Sequence, residues 1–305
     1  MGTQSPSTDG REPFDAQIDV GGIDVFDSLL VRQGIREAKT EAVLELLADW
    51  GAANKEGNVR TLLPVDGVSL VTLFLDRGNF GWMGSESATG DALLWYVEVV
   101  DDHADEWDDP DATIRDTSPL FETELGVMLE EDAIVHADGR DGHQLITHAT
   151  NPHRQDRYID VCGPSLVAPV GGDELPISVA VTTISLKPGF VSWLVSRVVR
   201  IGNWFKRFDR ISEWIRNQTD TLEEEAMYTE SLLIEPVGDR LVLHYYMETE
   251  DQERAWKAYQ ESDNWDVRFS DWAMRRIFVN PEAVLDPPLE SDCEVLIHAV
   301  HPGRP

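Results

Sequence analysis

Hydrophobic and polar positions alternate with a period of two through several short runs, most clearly in RLVLHYYMET at 240–249. Successive strand residues point to opposite faces. Leu241, Leu243, Tyr245 and Met247 therefore share one face, and Val242, His244, Tyr246 and Glu248 share the other. ALLWYVEVV at 92–100 repeats this, setting Leu93, Trp95, Val97 and Val99 against Leu94, Tyr96 and Glu98. DSLLVRQG (27–34), VSLVTLFLDR (68–77), QLITHAT (144–150), TTISLKPG (182–189), MYTESLLIEP (227–236) and EVLIHAV (294–300) also read as strands. Between them the period lengthens to 3.6. Val43, Leu46, Leu47 and Trp50 mark a helix over 37–50, and Ile211, Trp214, Ile215 and Leu222 mark one over 208–225. Further helical segments are expected within 103–130 and 252–279.

The predicted elements fall in the order βαββαβ, written twice. The last strands end alike: HATNPHR at 148–154 returns as HAVHPGR at 298–304, with His, Ala, Pro and Arg each 150 positions from their partners. The same offset pairs Tyr96 with Tyr246, Glu98 with Glu248 and Asp101 with Asp251. Self-similarity at a fixed offset marks an internal repeat. Each βαββαβ copy is a ferredoxin-like unit, whose four-stranded antiparallel sheet carries helices on one face and leaves the other apolar and uncovered. Two copies can cover each other's open faces and pair their edges. The expected fold is α+β: two tandem ferredoxin-like units forming an intramolecular dimeric α/β barrel, with the usual 4-1-3-2 strand order in each. The expected division is an acidic disordered tail at 1–22, repeat one at 23–154, a linker at 155–178 and repeat two at 179–305.

Charge narrows the function classes. The chain of 305 residues holds 57 acidic and 25 basic residues, a net charge of −32, and only five lysines. So negative a surface has no basic face for a phosphate backbone, so nucleic acid is not an expected partner. Acidity spread along the whole chain, with arginine well ahead of lysine, is similar to proteins of extreme halophiles, where salt screens self-repulsion. Cys162 and Cys293 stand alone, which fits a reducing cytoplasm and no zinc site. The N-terminal stretch lacks the apolar core of a signal peptide, and no run reaches about 18 apolar residues. A cytoplasmic protein is expected.

From SLKPG through EEEAMYTESLLIEP, LHYYMETED and AWKAYQESD to LIHAVHPGRP, the second copy resembles a family of small uncharacterised proteins from halophilic archaea. That family is similar in architecture to the dimeric α/β-barrel superfamily, which includes antibiotic-biosynthesis monooxygenases. The resemblance implies a fold and brings no catalytic motif. No cofactor is expected.

The candidate chemistry lies on the strand face carrying Tyr96, Glu98, His244, Tyr246 and Glu248, joined by His148 and His298 on the last strands. Inside a barrel these groups would need partners or a ligand. The competing reading places both glutamates in solvent at the barrel mouth and each histidine against a neighbour. In the 4-1-3-2 order, strand one separates strands three and four, so Glu98 and His148 should not bond directly and a ligand between them fits better. His136, His143, His148 and His153 are spaced wrongly for a shared metal, and none is expected. The stretch 188–216 carries six basic and two acidic residues in this acidic chain. Within its 190–216 part, Trp193, Arg197, Arg200, Trp204, Lys206 and Arg207 could meet a membrane surface or a protein partner; the plainer reading is an extended helix on the sheet. The leading expectation is a monomeric pseudo-dimer binding a small, partly apolar molecule in the barrel, with cofactor-independent monooxygenase-like chemistry as the reaction class the resemblance allows. The alternative is a non-catalytic interaction protein acting through 190–216.

Overall fold

The computed structural model describes residues 26–77, 90–100, 107, 109–130, 144–151, 154, 165–187, 227–237, 240–261, 275–279, 281–282 and 293–304. Among these, nine strands form: β1 Phe26–Gly34, β2 Val68–Asp76, β3 Ala92–Val100, β4 Gln144–Thr150, β5 Leu166–Val167, β6 Ser178–Ser185, β7 Met227–Val237, β8 Arg240–Thr249 and β9 Cys293–Val300. The helices are α1 Thr40–Ala53, α2 Val59–Leu62, α3 Pro110–Thr117, α4 Leu125–Met128 and α5 Gln252–Glu261. The helix expected over 208–225 and the basic segment 190–216 lie outside the described residues, as do Trp193, Arg197, Arg200, Trp204, Lys206 and Arg207.

The fold is mixed α+β, built on two antiparallel sheets. One has the order β1-β3-β2-β9-β5 and the other β4-β7-β8-β6. This corrects the expected 4-1-3-2 arrangement. In neither sheet does the last strand of an expected copy, β4 or β9, lie beside the first strand of that copy, β1 or β6. Instead β9, late in the chain, pairs with β2, and β4 pairs with β7. The physical gain is the same on both sides: a strand edge that would otherwise be bare receives a ladder from the other half of the chain. Nor do the sheets close into a barrel. β1 approaches β4, and β6 approaches β9, but no ladder joins either pair among the described residues.

Strand periodicity sorts the cores as the sequence pattern suggests. Leu93, Trp95, Val97 and Val99 face outward, where α1 supplies Val43 and Leu47 and the segment after α3 supplies Leu120 and Leu125. Burying each large apolar side chain contributes about 1.5–3 kcal/mol. Trp95 is fully buried, and its indole N–H donates to Gln33 (2.9 Å), whose amide in turn donates to Asp111 on α3 (2.6 Å). Gly51, near the end of α1, is where the helix meets residues 168–171; a Cβ there would lie 2.3 Å from that of Ala168. The opposite faces of the sheets meet in a second core, where Leu30, Leu70, Phe74 and Leu94 pack with Val179, Val181, Leu233 and Tyr246. The candidate chemistry lies in this layer.

Candidate functional site

At the middle of the inter-sheet layer, Tyr96 on β3 and Tyr246 on β8 stack face to face, their ring planes 8° apart. Each hydroxyl reaches a short hydroxyl side chain on the opposite sheet. Tyr96 bonds Ser231 on β7 (2.7 Å), and Tyr246 bonds Thr72 on β2 (3.2 Å). Each of these in turn meets a histidine on the neighbouring strand. Ser231 bonds Nδ1 of His148 on β4 (2.7 Å), and Thr72 bonds Nδ1 of His298 on β9 (2.9 Å). The result is two matched relays, Tyr96–Ser231–His148 and Tyr246–Thr72–His298. Strand exchange is what makes them possible, because it sets β4 against β7 and β9 against β2.

Beyond the tyrosines lies a fully buried charged cluster. Glu98 accepts from Ser69 (2.6 Å), from Arg154 (3.0 and 3.2 Å) and from Arg304 (2.8 and 3.1 Å). Arg304 also donates to Glu248 (2.9 Å), which additionally accepts from the Tyr246 hydroxyl. Both arginines bond Thr229 as well. Two carboxylates and two guanidiniums thus cancel within a buried space, the condition under which buried charge is tolerated.

The arginines occupy the last position of the repeated HATNPHR and HAVHPGR stretches. In each, the Arg amide donates to the carbonyl three residues earlier, Asn151 or His301, at 3.0 Å. Proline follows that residue in both cases (152 and 302), the position a β-turn favours. At 301–304 the turn folds the chain back so that Arg304, leaving the strand end, re-enters the interior, and Arg154 is buried in the same way. These two arginines, with Thr72 and Ser231, are site residues that strand periodicity alone did not single out. The signal for the arginines was the repeated turn sequence itself.

Burial and charge set the protonation states. Burial works to raise the Glu98 carboxyl, but Arg154 and then Arg304 outweigh it and hold the group well below the usual carboxylate range. Burial, partly opposed by Glu98, lowers His148 to about 4, and burial likewise lowers His298 to about 4. Both imidazoles are therefore neutral at neutral pH. Burial, reinforced by Glu98 for Tyr96 and by Glu248 for Tyr246, pushes both phenols well above 10.

Of the seven residues expected to face a ligand, six come together here: Tyr96, Glu98, His148, Tyr246, Glu248 and His298. His244 is also buried, and its Nδ1 meets Thr183 on β6 at 3.3 Å. The solvated-mouth reading of the glutamates does not hold, since both are fully buried. Glu98 and His148, expected to be held apart within one sheet, are not. β4 belongs to the opposite sheet, and His148 approaches Glu98 across the interior, Nε2 to Oε2, at 4.0 Å. That Nε2 is buried and has no hydrogen-bond partner. Among the described residues, a cleft of about 650 Å³ lies elsewhere, on the outer surface between α1 and α4, lined by Leu46, Trp50 and Met128 with Glu45, Asp49 and Glu124. No described helix is long and apolar enough to cross a membrane, and no described group of His, Cys, Asp and Glu could hold a metal.

No family model and no curated protein matches the chain. Among solved structures it is similar to one from Fusobacterium nucleatum subsp. nucleatum described as "Putative monooxygenase", with 9% identity, a TM-score of 0.42, and coverage of 92% of this chain and 96% of that one.

Proposed function

We propose that the protein binds a small, partly apolar molecule between its two sheets, on the side of the centre formed by His148, Ser231, Tyr96 and Glu98. One observation carries this reading. In a cluster whose polar atoms otherwise bond one another, His148 Nε2 is buried without a partner and faces a carboxylate oxygen 4.0 Å away. A buried polar nitrogen left unpaired costs about 1–3 kcal/mol, so an oxygen brought by water or a ligand is favoured there.

The reading concerns binding. A cofactor-independent monooxygenase-like step would need a group to take a proton from the bound molecule. Glu98, held low by two arginines, and His148, held at about 4, are both weak acceptors. The same proposal takes the chain as a fused pseudo-dimer of two ferredoxin-like repeats, 23–154 and 179–305, in the cytoplasm of a salt-adapted cell. A melting temperature that fails to rise from low to molar KCl would overturn the salt adaptation.

A second reading is favoured by the tight mutual bonding of the same groups. Under it the centre only locks the two sheets, and partners are met elsewhere, through the basic segment 190–216. Native mass spectrometry of the intact purified protein separates the two. A small molecule retained by the folded chain is expected; a bare polypeptide mass under the gentlest conditions would favour the interaction protein.

A further inference from the structure

The direction of the hydrogen bonds in the first relay fixes which chemical group can complete it. Among the described residues the Tyr96 hydroxyl has one hydrogen-bond partner, Ser231. A phenol at this position is protonated, and a buried O–H with no acceptor is costly, so Tyr96 donates to Ser231. Ser231 has one hydrogen of its own and one remaining partner, His148 Nδ1 at 2.7 Å. Ser231 therefore donates to His148, which must accept at Nδ1. A neutral imidazole that accepts at Nδ1 carries its proton on Nε2. The unpaired atom facing Glu98 is thus an N–H donor.

Its surroundings limit what can satisfy it. Glu98 Oε2, 4.0 Å away, takes bonds from Arg154 (3.2 Å) and Arg304 (2.8 Å) and can accept another. An oxygen about 2.8 Å from both atoms closes a triangle on that separation with an angle of about 90°, an acceptable bridging geometry. That oxygen must accept from His148 and lie in contact with an anionic carboxylate. A ligand carboxylate would set two like charges together. An ether would accept from His148 yet offer nothing to Glu98. An ammonium could donate to Glu98 but could not accept from His148. A hydroxyl does both through one atom.

We infer that the molecule bound on this side, in the reading proposed above, presents a neutral hydroxyl that accepts from His148 Nε2–H and donates to Glu98. The second relay makes no such demand. Tyr246 gives its proton to Glu248, so Thr72 is free to donate to either Tyr246 or His298, and the tautomer of His298 is not forced.

Nitrogen-15 NMR of the histidine rings in the full-length protein at neutral pH tests the inference without a variant, the His148 ring being assigned from its proximity to Ser231. The Nε2–H tautomer is expected for His148; finding Nδ1–H would overturn the inference. Three probes of one shape then sort the ligand group: cyclohexanol, cyclohexyl methyl ether and cyclohexanecarboxylate. Cyclohexanol should shift the His148 signals and bind about tenfold or more tightly than the other two. Equal or tighter binding of the ether or the carboxylate, with His148 responding, would overturn the hydroxyl and leave binding at this place intact. If none of the three moves His148, the bridging oxygen is water only, and both the hydroxyl and the binding reading fall.

Discussion

Glu98 receives two arginines and Ser69, whereas Glu248 receives Arg304 and the hydroxyl of Tyr246. The two glutamates stand 150 positions apart in matching runs, on strands of equal place in their sheets. The difference between them comes from where one proton goes. Tyr246 spends its hydrogen on a carboxylate of its own strand. Tyr96, whose neighbouring carboxylate is already surrounded by cations, turns to Ser231 across the interior. A single change of acceptor leaves the first relay ending on an open N–H, whereas in the second the tautomer of His298 is not forced. On the reading proposed above, near-identical residue sets give one side that meets a ligand and one that does not.

The largest effect should come from separating the halves altogether. Cutting the chain within 156–164 leaves the first fragment without β9 and the second without β4, so each loses the ladder on one edge and the cover of its inner face. Each fragment alone should aggregate or self-associate, and co-expression should recover a one-to-one complex. Two stable, soluble monomers by sedimentation would show that the halves are independent and the comparison between them empty.

Arg304→Ala should come next, because that side chain is buried and bonds both carboxylates. Breaking a buried ion pair on one side costs about 3–5 kcal/mol. Arg154→Ala should cost less, since Glu98 keeps Arg304. Equal losses in urea unfolding would remove the asymmetry assigned to the two glutamates.

Acid should affect both halves alike. For each histidine the folded value, about 4, lies below the ordinary 6.5, so between these pH values the unfolded chain binds more protons than the folded one. Stability should be full above pH 6.5 and fall as pH drops toward 4, by about 3 kcal/mol per histidine. Glu98 adds its loss as pH falls through the ordinary carboxylate value, where the unfolded glutamate takes up a proton and the folded one stays ionised. A stability flat from pH 7 to 5 would contradict the burial of both rings.

The smallest contrast lies in the tyrosines. Tyr246→Phe removes a hydrogen bond to a carboxylate and should cost about 2 kcal/mol; Tyr96→Phe removes one to a serine and should cost about 1 kcal/mol. The reverse order would mean that the acceptors have been assigned the wrong way round.

Much of this centre is legible in the sequence, because a period of two places Tyr96 with Glu98, and Tyr246 with Glu248, on one face whatever the topology. Strand exchange is not legible. β4 and β9 present the same alternation whether they pair with one edge or another, and only three-dimensional closure chooses between β1 and β7, or between β6 and β2. That choice decides whether His148 and Glu98 are kept apart within one sheet or brought together across two. Arg154 and Arg304 were visible as part of a repeated strand ending, but a cation just after a strand reads as solvated until the proline turn is followed back inward. Thr72 and Ser231 carried no signal, being ordinary strand residues until set beside the tyrosine and histidine of other strands.

The claim that the first half meets a ligand while the second does not is tested most directly by native mass spectrometry on three proteins purified in parallel: the wild type, His148→Phe and His298→Phe, each first shown to be folded. A small molecule should be retained by the wild type and by His298→Phe and absent from His148→Phe. Retention by all three, or loss from both variants alike, would contradict the division of labour between the two halves.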